Sequence, residues 1–84
     1  MIVKTTLMAL VRRPDKLPRE FEKEIKENTT VNSFLSDLGY SSQEIRVLQV
    51  FVSSNNDTGS IRVPPDYILK NNDELFITIP VGGG

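Results

Sequence analysis

One segment of this chain reads as a strongly amphipathic helix, and the apolar segments on both sides of it read as strands. Val31, Phe34, Leu35 and Leu38 fall at i, i+3, i+4 and i+7, which puts them in a single stripe. Thr29 or Thr30 precedes the stripe with a hydroxyl able to cap the first free N–H groups. Gly39 follows it, where a left-handed C-terminal cap is wanted. A single helix of about two turns cannot bury its stripe alone. It needs a sheet, and strands before and after it imply an α+β fold in which a mixed sheet carries the helix on one face.

The strands follow from period-2 patterning. Residues 2–11 read as a first strand, dense in β-branched residues, with Val3, Leu7, Ala9 and Val11 on one face and Arg12-Arg13-Pro14-Asp15 as the turn that ends it. Residues 19–27 fit two periods. Leu17, Phe21 and Ile25 are spaced for a helix, yet they also share one strand face with Glu20, Glu22 and Glu24 outward, and three apolar residues anchor a helix poorly. The segment is therefore taken as a strand, giving an opening hairpin. Ser41-Ser42-Gln43-Glu44 matches a capping box and predicts a single helical turn. Residues 47–52 then read as a buried strand, 53–60 as a polar loop, and 61–63 as a short strand stopped by Pro64-Pro65. Tyr67, Ile68 and Leu69 are expected to pack back onto the core. Asn71-Asn72-Asp73 is a turn in which Asn tolerates positive φ. Residues 74–80 form the last strand, with Leu75, Ile77 and Ile79 inward and Phe76, Thr78 and Pro80 on the opposite, more open face.

Composition narrows the chemistry. Eighty-four residues suit one domain. With no Cys and no His, disulfides, thiolate chemistry, zinc fingers and imidazole acid–base catalysis are all excluded. Ten basic and eleven acidic side chains give a net charge of −1, without the basic excess of a nucleic-acid binder. No apolar run approaches the roughly 20 residues that span a bilayer. Lys4, Thr5 and Thr6 interrupt the apolar start and no small-residue cleavage site follows, so the expected location is cytoplasmic. Glu20, Glu22, Glu24 and Glu27 are interleaved with Lys23 and Lys26, as on a solvated face rather than in a metal site. Asp73 suits backbone bonding in its turn, and Arg12-Arg13 a solvated turn; no metal site is assigned.

After the last strand come Val81-Gly82-Gly83-Gly84. Glycines have no Cβ and make a thin arm, and four residues beyond Pro80 reach at most about 14 Å. An α-carboxylate on such an arm is shaped for a narrow active site, where ATP can activate it as an acyl-adenylate. A glycine run alone favours the plainer reading, a frayed end without function.

The residues before the glycines add to this. Leu69-Lys70-Asn71-Asn72-Asp73-Glu74, the strand Leu75-Phe76-Ile77-Thr78 and the end Ile79-Pro80-Val81-Gly82-Gly83-Gly84 resemble the close of the small sulfur carriers of the ubiquitin-like β-grasp superfamily. These are the molybdopterin synthase small subunit and the thiamine-pathway sulfur carrier, which end in a Leu-Lys-x-Gly-Asp-Glu turn, an apolar strand and Pro-Pro-Val-x-Gly-Gly. Thr30-Val31, Leu35 and Leu38 look like the family's helix start. The chain departs from the pattern at Asn72, at Ile79 and at Thr78, where the molybdenum branch carries a large apolar residue; Phe76 lies two residues earlier on the same face.

The resemblance implies a β-grasp domain over 1–80, with a sheet of about five strands, and a flexible tail over 81–84. It implies that Gly84 is the acyl-adenylate and thiocarboxylate position, that Val81, Gly82 and Gly83 thread into a partner, and that Phe76, Thr78 and Pro80 dock. The chain would be a carrier rather than an enzyme, with no bound cofactor and with ATP used by a partner activating enzyme. A sulfur-accepting enzyme such as a molybdopterin synthase large subunit or a thiazole synthase would be its second partner, the former slightly preferred. A ubiquitin-like modifier conjugated through Gly84, and a non-covalent β-grasp interaction module, are the alternatives.

Overall fold

The computed structural model describes residues 1–54 and 59–80. Its elements are β1 (Ile2–Leu7), β2 (Glu20–Glu24), α1 (Val31–Leu38), α2 (Ser42–Val47), β3 (Gln49–Ser53), β4 (Ile61–Val63) and β5 (Glu74–Thr78), with a 3-10 turn at Pro14–Lys16. The strands form one mixed sheet in the order β2-β1-β5-β3-β4. β1 and β5 are parallel at its centre, and the other pairings are antiparallel.

Helix α1 forms where its caps put it. Thr30 Oγ1 accepts the Ser33 N–H at 3.1 Å, and Gly39 closes the helix at φ 113°. That φ favours glycine. A Cβ there would also lie 3.0 Å from Pro14 Cβ, so the corner needs Gly39 twice over. Val31, Phe34, Leu35 and Leu38 are buried in one cluster with Val3 and Leu7 of β1, Val50 and Val52 of β3, and Leu75 and Ile77 of β5. Burying side chains of this size is worth about 1.5–3 kcal/mol each. This cluster decides which face of the sheet is covered.

Residues 20–24 are a strand, as expected, with Glu20, Glu22 and Glu24 exposed and Phe21 half-buried. The capping box at Ser41 and Glu44 is also present. The turn at 71–73 has Asn72 at φ 69°. Asp73 is buried and takes the Lys70 N–H on its carboxylate at 2.9 Å. The turn docks on β1 through the Asn72 N–H to the Ile2 carbonyl, at 2.8 Å.

Four details differ from the sequence reading. The first strand ends at Leu7 rather than Val11, because the Val11 N–H donates back to the Met8 carbonyl and turns the chain; Val11 is buried, but Ala9 is exposed. Helix α2 runs six residues, since the Leu48 N–H still reaches the Glu44 carbonyl. That places Val47 in the helix, 57% exposed, and starts β3 at Gln49. Ile68 is exposed, because this stretch is extended: the Val31 N–H meets the Tyr67 carbonyl and the Leu69 N–H the Thr29 carbonyl. Alternation then turns Leu69 inward, with Tyr67 half-buried beside it, and Ile68 out. Finally, β5 ends at Thr78, two residues short of Pro80.

Candidate functional site

Pairing register defines the face of the sheet that α1 leaves uncovered. Phe76 of β5 stands opposite Phe51 of β3 and beside Thr6 of β1. Phe51 in turn faces Arg62 of β4, and Thr6 faces Glu20 of β2. One row thus crosses all five strands as Glu20, Thr6, Phe76, Phe51 and Arg62, an aromatic pair between opposite charges. The next row is Glu22, Lys4, Glu74 and Ser53, with Lys4 between two glutamates. Phe51 and Phe76 are each half-buried, so the pair leaves apolar surface in water. Directly opposed aromatic side chains on one sheet face stabilise each other by up to about 1 kcal/mol. They also form a stiff apolar anchor of the kind that dominates interfaces.

Of the residues expected to dock, Phe76 and Thr78 lie on this face and are half-buried, and Pro80 beyond the strand is exposed. Thr78 stands opposite Gln49, one register step from the aromatic pair. Phe51 belongs with them but is assigned to a buried strand by its apolar neighbours. The available signal was the alternation of 49–53, in which Val50 and Val52 are buried and Phe51 falls on the opposite face. The thread of Val81, Gly82 and Gly83 and the acyl position at Gly84 lie outside the described residues.

The same end of the sheet is bordered by the loop of residues 8–19. The Met8 N–H donates to the Ile77 carbonyl at 2.9 Å, which sets this loop beside the exit of β5. Met8 and Leu10 are exposed there. The loop is held from inside. Arg19 Nη1 donates to the carbonyls of Met8 and Val11, at 2.7 and 3.0 Å. Arg12 pairs with Glu44 through two bonds of 2.7 and 2.9 Å, and its Nη2 also reaches the Gly39 carbonyl. The Tyr40 hydroxyl donates to the Arg12 carbonyl, and its ring lies 5.4 Å beneath the guanidinium. Arg12 is therefore a structural clasp between this loop and α2, not a merely solvated turn residue. The Arg12 hydrogen bonds, followed by the Ser41 N–H, hold the Glu44 carboxyl down to about 2.

Among the described residues no group of three acidic side chains could hold a metal ion. No described helix is long and apolar enough to cross a membrane. The site offers a half-exposed apolar face beside the end of β5.

No family model and no curated protein matches the chain. Among solved structures it is similar to the crystal structure of SAMP1 from Haloferax volcanii, with 19% sequence identity and a TM-score of 0.63 over 100% of both chains. That likeness covers every strand of the mixed sheet and the helix across it, and the fold of this chain is the ubiquitin-like β-grasp.

Proposed function

We propose that this chain is a sulfur carrier of the ubiquitin-like type, acting with partner enzymes rather than as an enzyme itself. The Gly84 α-carboxylate attacks the α-phosphorus of ATP in an activating enzyme, and pyrophosphate leaves. The terminal sulfur of a partner's persulfide then attacks the acyl carbon and AMP leaves. A thiol reduces the resulting acyl disulfide, and the thiocarboxylate remains on Gly84. Its sulfur is delivered to a precursor inside a second enzyme, in molybdopterin synthesis before thiamine synthesis on the Pro-Val-Gly-Gly-Gly ending. The chain binds no cofactor for this, since the partner uses the ATP, and its work is cytoplasmic.

The observation that carries the reading is where the tail is rooted. Ile79 and Pro80 follow β5, a central strand, beside the half-exposed Phe51–Phe76 pair. A partner that grips the aromatic face through Phe76, Thr78 and Pro80 thereby aims Val81, Gly82 and Gly83 into its active site. The chain has no Cys or His with which to do the chemistry itself, which suits a carrier whose partners hold the reactive groups.

The test is ATP–pyrophosphate exchange with the cognate activating enzyme, comparing the full chain with one ending at Gly83. Loss of Gly84 should abolish exchange, because the carboxylate then sits about 3.5 Å short of its place. Equal exchange from both chains would refute the assignment. Intact mass from native cells separates the chemistries: a sulfur-for-oxygen gain marks the carrier, and conjugates through Gly84 mark a protein modifier instead.

A further inference from the structure

The row that crosses the open face is ordered by charge as well as by shape. It runs Glu20, Thr6, Phe76, Phe51, Arg62, from the edge strand β2 through the central strand β5 to the edge strand β4. The acid and the base stand two strands from β5 on either side, about 19 Å apart at the usual strand spacing. The row is therefore antisymmetric in charge about β5. Glu20 and Arg62 are exposed, and neither makes an ion pair among the described residues. Beside Glu20 the face dips into a shallow depression of about 320 Å³, lined by Lys4, Glu20, Phe21 and Glu22. In the next row Lys4 stands beside Glu74, also without an ion pair. Between the two ends of the first row lies the half-buried Phe51–Phe76 pair.

We propose that this face receives a second copy of the same chain, in a weak two-fold dimer whose axis runs along β5. Such an axis lays β4 of each copy over β2 of the other. Arg62 of one copy then meets Glu20 of the other beside the depression, and does so at both ends of the row. Phe76 meets Phe76 at the axis, and Phe51 of each copy covers Thr6 of the other, so four aromatic rings leave water together. In the next row the two Glu74 side chains come together between the two Lys4 side chains. The remaining acids of the face, Glu22 and Glu24, stand on the edge strand β2, where water and salt screen them. The other face-to-face two-fold, with its axis across the strands, sets Glu20 on Glu20 and Arg62 on Arg62, and like charges oppose it. Charge order thus selects both the occupant and its orientation, and a net charge of −1 leaves little overall repulsion between copies. Area sets the strength. A sheet face of five strands and about five residues offers roughly 400 Å² per copy, half of what a stable interface buries, so the dimer depends on concentration. In it each copy covers the other's open face and withholds that face from any other partner. The proposal does not rest on the sulfur-carrier reading, because it uses the sheet face and not the tail.

The test is sedimentation equilibrium and amide NMR on the full chain, from about 10 µM to about 2 mM. Molar mass should rise with concentration towards a dimer and no further. The amides of Thr6, Phe51, Arg62 and Phe76 should shift over the same range, and those of Phe34 and Leu35 in α1 should stay. These readouts on the unmodified chain depend on no variant folding. Arg62→Glu alone, or Glu20→Arg alone, should weaken the dimer roughly fivefold or more, because each change turns both symmetry-related pairs repulsive. Mixing the two variants should restore association, since both ends of the mixed dimer again join opposite charges. That recovery also shows both variants to be folded. Phe76→Ser should weaken the dimer roughly tenfold or more. Several results would overturn the proposal: a monomer throughout the range, shifts centred on α1 or α2, charge variants that associate as tightly as the unmodified chain, or a mixture no tighter than either variant alone. Growth beyond the dimer would also overturn it, and would mark pairing through the sheet edges instead.

Discussion

Thr5 should cost this protein stability, and Thr5→Val should return it. The residue sits at the centre of β1, fully buried, with Phe21 on one side of it and Leu75 on the other. Its hydroxyl has no hydrogen-bond partner. Burying a hydroxyl unpaired costs about 1–3 kcal/mol, and valine offers nearly the same shape without the polar atom. Thr5→Val should therefore stabilise the fold by about 1–2 kcal/mol. For a domain of this size that raises the melting temperature by about 4–8 °C per kcal/mol. Urea denaturation is the cleaner assay, because the midpoint should rise while the slope stays fixed, the mark of a pure stability change. Thr5→Ser separates the two halves of the side chain: it keeps the hydroxyl, loses a buried methyl and should destabilise by about 1 kcal/mol. Thr5 faces the core, away from Phe76, so the proposed carrier activity should not move in either variant. If Thr5→Val destabilises the protein by about 1 kcal/mol or more, the hydroxyl is satisfied after all and the reasoning fails.

Other predictions test the clasp, the corner and the docking face. The Glu44 carboxyl lies at about 2, below its ordinary 4.5, so its pairing with Arg12 stabilises the fold above about pH 4.5 and that contribution disappears as pH falls towards about 2. Thermal melts across this range should fall less steeply for Glu44→Gln than for the unmodified chain. Gly39→Ala should destabilise by about 1–3 kcal/mol in chemical denaturation, since alanine resists the positive φ and its Cβ would crowd Pro14. Phe76→Ser should weaken binding to the activating enzyme by roughly tenfold or more in titration calorimetry while unfolding stays cooperative. Unchanged binding would move the docking surface elsewhere.

What could be read in advance divides by how local its cause is. Helix α1, its Thr30 and Gly39 caps and the Ser41–Glu44 box rest on neighbours within four residues, and all stand where the pattern puts them. The strand at 20–24 was legible despite helical spacing because its glutamates alternate. The end of β1 was not legible. Residues 8–11 continue an apolar run, and what stops them is a turn fastened by Arg19, eight and eleven residues away. The partnership of Arg12 with Glu44 spans 32 residues and leaves no mark in local sequence. On the open face, Phe76 and Thr78 could be named from strand alternation, whereas Phe51 was hidden in an apolar run whose own alternation pointed to the same face, and its register with Phe76 sets the two side by side.

The central place of β5 has a consequence for how the protein comes into being. Lys4 pairs in register with Glu74, and Leu7 with Ile77, so the middle of the sheet joins two segments about as far apart as the chain allows. A nascent chain holding β1 to β4 has two separate hairpins and no strand between them, because β1 and β3 meet only through β5. Contacts of such long range form slowly. Folding must therefore wait until residues 74–78 have cleared the ribosome. A molecule cut within this strand would be an unfolded chain rather than a shorter folded one, so quality control at the level of folding would also select for molecules that retain β5 and the residues that follow it.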